Sequence, residues 1–443
     1  MNKDIQSAIT PLNLGHMIKQ LKIVGACRED TKRLGPDSYL LGWRGGLGMR
    51  CGKVAVLTGL LATLTLAGCA SSPQQRVISV KTPTYASLPN GNNPMSPDQL
   101  SPMYAAAASG TGENLVRSLE RKHGHPLNML SISGGGQNGA FGAGFLIGWR
   151  ESGQRPEFDI VAGVSTGSLL ATHALLGTPA DDAILKTMYT EVTDKDIYEG
   201  RSIYSLLSGT DSLRDTAPLR ALIAKYITAE TLQRVAAALD DNRLIFVGTT
   251  NVDYGQTWVW NMSLIAKHGK LDLYRKVLLA SASFPIVFPP MEIEGHLFVD
   301  GAARSNLVVP GMSGSNRPKP SLYGSGNLYL ITNGRLEHPP EALTRDLGAV
   351  AATTVGVMMD QSMQTALMRS YFGTKFLGYT FNMVSIPDGV EIGKDPLAFD
   401  PKQMRAAFDA GNALAQQPKP WLSEPPNVGD LPDWAMDAIK ANY

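Results

Sequence analysis

The stretch Gly163-Val164-Ser165-Thr166-Gly167 constrains this chain more than any other. Phe158 to Val164 reads as a buried strand, and Thr166 to about Leu176 as a helix. A strand that becomes a helix across one residue needs a sharp turn. Glycines on both sides of the serine remove Cβ atoms that would clash in it. In that setting G-x-S-x-G is a nucleophile elbow, which presents the serine hydroxyl at the sheet's edge. The new helix points its positive end at the serine oxygen. A small-residue turn without chemistry fits the same five residues.

Two further motifs stand in line with it. Gly134-Gly135-Gly136-Gln137-Asn138-Gly139-Ala140-Phe141-Gly142-Ala143-Gly144 lies between the strand Leu127–Ser133 and a helix running to about Trp149. Consecutive glycines free backbone N–H groups to converge on one negative oxygen, and such an oxyanion hole contributes about 3–4 kcal/mol per donor. A phosphate cradle has the same layout, but the run lacks the Gly-Lys-Ser/Thr ending of a Walker loop. Gly142 and Gly144 fit close helix packing better than chemistry. Asp300-Gly301-Ala302 follows Leu297-Phe298-Val299 and puts a carboxylate at a strand end, although Asp-Gly is also a common turn.

Elsewhere, helices are expected over 181–192, 217–227, 231–239, 271–281, 347–371 and 402–416, and near 112–122. Strands are expected over 244–250, 256–262 and 327–332. Alternating strands and helices imply an α/β layered fold, with a largely parallel central sheet flanked by helices. Hydrophobic residues make up 43% of the 443, enough for a sizeable core. The 40 basic and 39 acidic residues give a net charge of +1, which offers no basic face for nucleic acid. No cluster with metal-ligand spacing appears, and the chemistry needs no cofactor.

Together the three motifs resemble the patatin-like phospholipase family in order and in the spacing of about 30 residues between the first two. Val247-Gly248-Thr249-Thr250-Asn251, Ala280-Ser281-Ala282-Ser283-Phe284-Pro285 and Phe288-Pro289-Pro290 support the resemblance, which covers residues 127–310. It implies a serine acyl hydrolase that cleaves fatty-acyl esters of lipids through an acyl-enzyme. Ser165 would be the nucleophile and Asp300 the base, with the oxyanion on the N–H groups of Gly134, Gly135 and Gly136. Gly139, Gly163, Gly167, Gly301 and Ala302 would shape the motifs. The chain departs from the family at Asn138, where an Arg or Lys is common. Two other readings stand beside this one. A Ser-His-Asp esterase would need a histidine after the acid, and His338 alone follows Asp300; His173, His268 and His296 precede it. A catalytically inactive, membrane-tethered lipid-binding module would keep the pocket without the reaction. Phe284-Pro285-Ile286-Val287-Phe288 suits acyl-chain contact and core packing equally.

The N-terminal region reads as an address. Arg50 and Lys53 precede an apolar stretch from Val54 to Gly68, shorter than the roughly 20 residues of a membrane span. It ends in Leu66-Ala67-Gly68-Cys69, which resembles a bacterial lipoprotein signal with Cys69 as the lipidated residue. A start at Met49 would give that signal an ordinary length. The expected organisation is a signal region over 1–68, a lipidated terminus and Pro-rich tether over 69–111, a catalytic domain over 112–417 and a tail over 418–443. That resemblance implies export and anchoring by acyl chains, at the outer membrane facing the periplasm, beside a lipid substrate.

Overall fold

The computed structural model describes residues 83, 85–87, 124–200, 212–310, 325–336, 347–392 and 395–428. The signal-like stretch, Cys69, the helix expected near 112–122, His338 and all of the tether but residues 83 and 85–87 lie outside the described residues. Those few tether residues join the sheet: Ala86 and Ser87 pair antiparallel with Trp260 and Val259, and the Tyr85 carbonyl accepts the Asn261 N–H (2.9 Å). The chain divides into two units, Met1–Gln75 and Arg76–Tyr443, and every described residue belongs to the second.

After that two-residue edge strand comes β1 (Leu127–Ile132), all six residues of which are buried. A strand covered on both faces is largely apolar, as parallel central strands are. Its two polar side chains are hydrogen-bonded, Asn128 Nδ2 donating to the Glu157 carbonyl (3.2 Å) and Ser131 Oγ to the Val308 carbonyl (2.7 Å). Then follow α1 (Gly139–Glu151), β2 (Ile160–Val164), α2 (Thr166–Leu176) and α3 (Pro179–Thr190). Thr178 caps α3 in a reciprocal box with Asp181, and Pro179 sits at its first position. Next come α4 (Ala217–Tyr226), α5 (Ala229–Asp240), β3 (Leu244–Asn251) and β4 (Gln256–Asn261). The central part ends with α6 (Met262–Lys267), α7 (Leu271–Ser281), β5 (Met291–Ile293) and β6 (His296–Asp300). The last described elements are β7 (Gly326–Ile331), α8 (Leu347–Leu377), β8 (Thr380–Val384) and α9 (Pro401–Ala415).

The sheet runs β4-β3-β2-β1-β7-β8, with Ala86–Ser87 at the edge beyond β4, and the five strands from β3 to β8 are mutually parallel. Side chains alternate across it, as a pleat requires. Leu130, Ile132, Val161, Ile245, Val247 and Ile331 face the layer that holds α1, α2, α3 and α9. Met129, Ala162, Phe246, Leu328 and Leu330 face the layer built on α8. This is the expected α/β architecture with helices on both faces.

β3 changes partners along its length. Its first five residues pair with β2 in parallel, and Thr249, Thr250 and Asn251 pair antiparallel with Asp300, Val299 and Phe298 of β6. That switch carries the end of β6 to the carboxyl end of β2. The expected element types held, with shifts at the ends: α3 starts two residues earlier and α8 runs to Leu377. β5, β8 and α6 had not been expected. β8 follows closely on the long α8 with only Gly378 and Tyr379 between them, and Trp421 packs over this side of the sheet against Phe145, Trp149 and Tyr329.

Helices α1 and α9 meet through glycines. A Cβ at Gly144 would strike the Phe408 carbonyl, and one at Gly411 would strike the Phe141 carbonyl. Gly142 is likewise filled by Asn333 and Leu170, so the packing role expected of Gly142 and Gly144 is the observed one. Gly356, in α8, has open space among the described residues. Alanine gains about 1 kcal/mol over glycine in a helix, whereas overpacking against backbone costs about 1–3 kcal/mol or more. Gly356→Ala should therefore raise the midpoint of chemical denaturation, and Gly144→Ala should lower it, with a net loss of ~1–2 kcal/mol in unfolding free energy. Equal shifts in the two variants would contradict the close contact.

Candidate active site

Ser165 lies between β2 and α2 with φ 54° and ψ −127°, a conformation that costs a non-glycine residue about 1–3 kcal/mol. Hydrogen bonds hold it there on both sides. Its N–H donates to Ser281 Oγ (2.9 Å), and Ser281 Oγ–H donates in turn to the Gly248 carbonyl (2.7 Å). Its carbonyl accepts from Ser168 Oγ (2.6 Å) and from the Ser168 N–H (2.9 Å). The flanking glycines leave no room for a side chain. A Cβ at Gly163 would meet the Gly167 carbonyl, and one at Gly167 the Ile132 and Ser133 carbonyls. The Ser165 side chain makes no capping bond to α2, so its hydroxyl stays available.

Asp300 ends β6 opposite Thr249. Its N–H donates to the Ser283 carbonyl (2.8 Å), and its Oδ1 accepts the Ala302 N–H (2.8 Å). It is 1% exposed. Burial pushes its carboxyl up to about 7, opposed by hydrogen bonding from the Ser165 side chain and the Ala302 N–H. Gly301 is needed because a Cβ there would lie 2.6 Å from the Gly248 carbonyl and 2.8 Å from Val164 Cγ1. Ala302 packs with Val164 and Val308. The elbow and the Asp-Gly-Ala turn are thus brought together through one small contact at Gly248.

The glycine run after β1 completes the group. A Cβ on Gly134 would fall 2.9 Å from Ser165 Cβ, so this glycine touches the serine. Its N–H, however, is already donated to Asn306 Oδ1 (2.9 Å). The N–H groups of Gly135 and Gly136 have no partner among the described residues. Gly136 has φ 57°, which favours glycine. Asn333 braces the loop from the end of β7: its N–H donates to Ser133 Oγ, its Nδ2 to the Ser133 carbonyl, and its Oδ1 accepts the Gly142 N–H. Gly139 packs on Thr166 and Tyr189, which hydrogen-bond each other at 2.5 Å. Asn138 is 9% exposed and ends the short turn before α1 without capping it.

The described histidines lie in other networks. His173, on α2, bonds Asp181 Oδ1 (2.9 Å), and Arg234 holds Asp181 from the other side. His296 packs on Trp258, with ring centroids 5.2 Å apart, and meets Asn251 (3.3 Å). His268 lies against Tyr85, and His125 faces Asp159. Among the described residues no histidine bonds Ser165 or Asp300, and no group of three or more His, Cys, Asp or Glu could hold a metal. The apolar stretch after Ser283 divides in two: Phe288 is core, whereas Ile286 is 59% exposed. Sequence reasoning assigned no role to Ser281, Asn306 or Asn333. Ser281 lay in a quoted motif, but small-residue runs do not show which hydroxyl faces which strand.

Residues 130–312 match the Patatin family, described as patatin-like phospholipase, and this stretch is a patatin-like phospholipase domain. An uncharacterized protein, R571, of Acanthamoeba polyphaga mimivirus is 26% identical over 185 residues, 41% of this chain. The match spans 59% of that relative's length. Among solved structures, VipD from Legionella pneumophila is similar with a TM-score of 0.36 and 12% identity, over 66% of each chain. Human GIVD cytosolic phospholipase A2, in complex with methyl gamma-linolenyl fluorophosphonate, is similar with a TM-score of 0.30 and 10% identity. That likeness covers 82% of this chain and 66% of that one.

The raised Asp300 pKa has a stability consequence. Between about pH 4, the unfolded value, and about pH 7 the folded chain keeps a proton that the unfolded chain releases. The Asp300 contribution is therefore fully present below pH 4 and declines as pH rises through 7, by roughly 4 kcal/mol in all. Asp300→Asn removes that loss. Relative to wild type, the variant should gain denaturation midpoint at pH 8 and gain little at pH 4, in parallel urea titrations. The same offset at both pH values would show that Asp300 does not carry the proton.

Proposed function

We propose that this protein is a serine acyl hydrolase that cleaves fatty-acyl esters of lipids with Ser165 as nucleophile and Asp300 as base. The observation that carries the reading is the strained Ser165 facing a buried Asp300 whose pKa lies near 7. Desolvation makes the carboxylate a stronger base than an exposed one, close to the pKa that general-base catalysis at neutral pH favours. Asp300 takes the hydroxyl proton as Ser165 Oγ bonds to the ester carbonyl carbon. The oxyanion is held by the N–H groups of Gly135 and Gly136 at the positive end of α2. Because Gly134 gives its N–H to Asn306, its part is to place the loop against the serine. The tetrahedral adduct expels the alcohol, which takes the proton from Asp300, leaving an acyl-Ser165. Asp300 then takes a proton from water as its oxygen adds to the acyl carbon. The adduct collapses with release of the fatty acid while Asp300 hands that proton to the departing Ser165 Oγ, restoring the hydroxyl and the carboxylate. Exposed Ile286, three residues from the Ser283 that anchors Asp300, suits an acyl chain.

Full-length protein should hydrolyse p-nitrophenyl fatty-acyl esters and phospholipid in mixed micelles. Ser165→Ala should reduce kcat to background, and Asp300→Asn should reduce it by about 100- to 10,000-fold. Because Asp300 works deprotonated, kcat/KM of the wild type should rise with pH through about 7. Full activity in Asp300→Asn, or loss of activity on replacing His338, would favour a Ser-His-Asp esterase. A folded wild type that binds vesicles without turnover would favour a lipid-binding module.

We further propose that Cys69 is lipidated and holds the domain at the membrane bearing its substrate. In bacteria expressing the full chain, labelled palmitate should enter the wild type and not Cys69→Ala. Equal labelling of both would rule out that anchor.

A further inference from the structure

Gln137 follows the glycines directly, and nothing in the sequence marks it. Its side chain is 1% exposed. Nε2 donates to the Asp395 carbonyl (2.8 Å) and to Gln403 Oε1 (3.3 Å), and Oε1 accepts the Asp400 N–H (3.0 Å). The Gln137 backbone N–H donates to the Pro396 carbonyl (2.8 Å). A carbonyl can only accept and a backbone N–H can only donate, so these partners fix which way the amide faces. All four bonds run to one segment, 395–403, which lies beyond the family match ending at residue 312.

That segment is itself well held. Asp395 Oδ1 accepts the Leu397 N–H and the Asp395 carbonyl accepts the Ala398 N–H, while Tyr198 OH donates to the Leu397 carbonyl (2.9 Å). Phe399 takes φ 43°, and Asp400 caps α9 by accepting the Lys402 and Gln403 N–H groups. From there α9 packs on α1, the helix the glycine loop leads into.

A loop of three glycines has no side chains with which to pack, so hydrogen bonds must fix its direction. An oxyanion hole works because its donors are aimed before charge develops. We infer that Gln137 is a positioning residue whose buried amide, tied to residues 395–403, aims the Gly135 and Gly136 N–H groups at the ester oxygen. This rests on the acyl-transfer reading above.

The test compares full-length wild type with Gln137→Met, which keeps the volume without the bonds, and with Gln137→Glu, which sets a carboxylate oxygen against the Asp395 carbonyl. The substrate is p-nitrophenyl butyrate, and sites are counted by fluorophosphonate titration carried to completion. Per titrated site, kcat should fall about 10- to 100-fold while KM moves less than about threefold. Affinity for an aryl trifluoromethyl ketone, which adds to Ser165 as a hemiketal oxyanion, should fall in step with kcat. A merely structural glutamine would lower the number of titratable sites and leave kcat per site unchanged; that result, or a loss confined to KM, overturns the inference. Should neither Gln137 variant fold, Gln403→Ala removes the longest of the amide's bonds and should lower kcat a few-fold, and an unchanged kcat there overturns it equally. A wild type that neither turns over ester nor takes the fluorophosphonate would instead sink the acyl-transfer reading.

Discussion

The site depends on keeping one residue where its backbone does not want to be. Ser165 sits at a positive φ that a side chain disfavours, and relaxation would swing its hydroxyl away from Asp300. Two neighbouring serines prevent this from opposite directions, Ser281 at its N–H and Ser168 at its carbonyl. Ser281 also bonds Gly248 on β3, so one hydroxyl joins the elbow to the strand that brings in the acid. The strain of the elbow is thus offset by buried hydrogen bonds from serines on α2 and α7 rather than by the five residues of the elbow itself.

The acid arrives by a route that a purely parallel sheet does not provide. Had β3 paired with β2 along its whole length, its last three residues would have had no place for β6. Instead β3 outruns β2, and the free end accepts an antiparallel neighbour. Asp300 therefore reaches the carboxyl ends of the parallel strands, where the glycine loop and the elbow open. Burial there has two effects at once. It raises the carboxyl's affinity for a proton, which serves the proposed base, and it costs stability at any pH where the carboxylate is charged. Function and stability pull the same residue in opposite directions.

What was legible in the sequence was what depends on neighbours in the chain. The three motifs, the burial of β1 to β3 and most helices follow from local pattern, and each motif sits at the strand or helix end that the pattern implied. What was not legible depends on partners far along the chain. Asn306 lies 172 residues from Gly134, whose N–H it takes; with that bond unseen, three consecutive glycines read as three equal donors. Asn333 lies 200 residues from Ser133, and Asp395 lies 258 from Gln137. Such bonds leave no periodicity to read. β5 and β8 escaped for another reason: the first, at three residues, is too short to show a period, and the second is joined to a long helix by Gly378 and Tyr379 alone, so its apolar residues read as a continuation of that helix.

The small residues at the site make sense once the proposed base is a carboxylate without an imidazole between it and the serine. A histidine spans a gap; a carboxyl on one methylene does not, so the two strands must approach until the groups touch. Gly248, Gly301 and Ala302 are where that approach is closest, and Val164 fills what remains. A larger residue at Gly248 would push against Val308 and Val164, and one at Gly301 against the Gly248 carbonyl, in each case separating Asp300 from Ser165. In this arrangement the glycines of the motifs act less as flexible hinges than as spacers of least thickness. They set the distance across which, in the proposed reaction, one proton has to move.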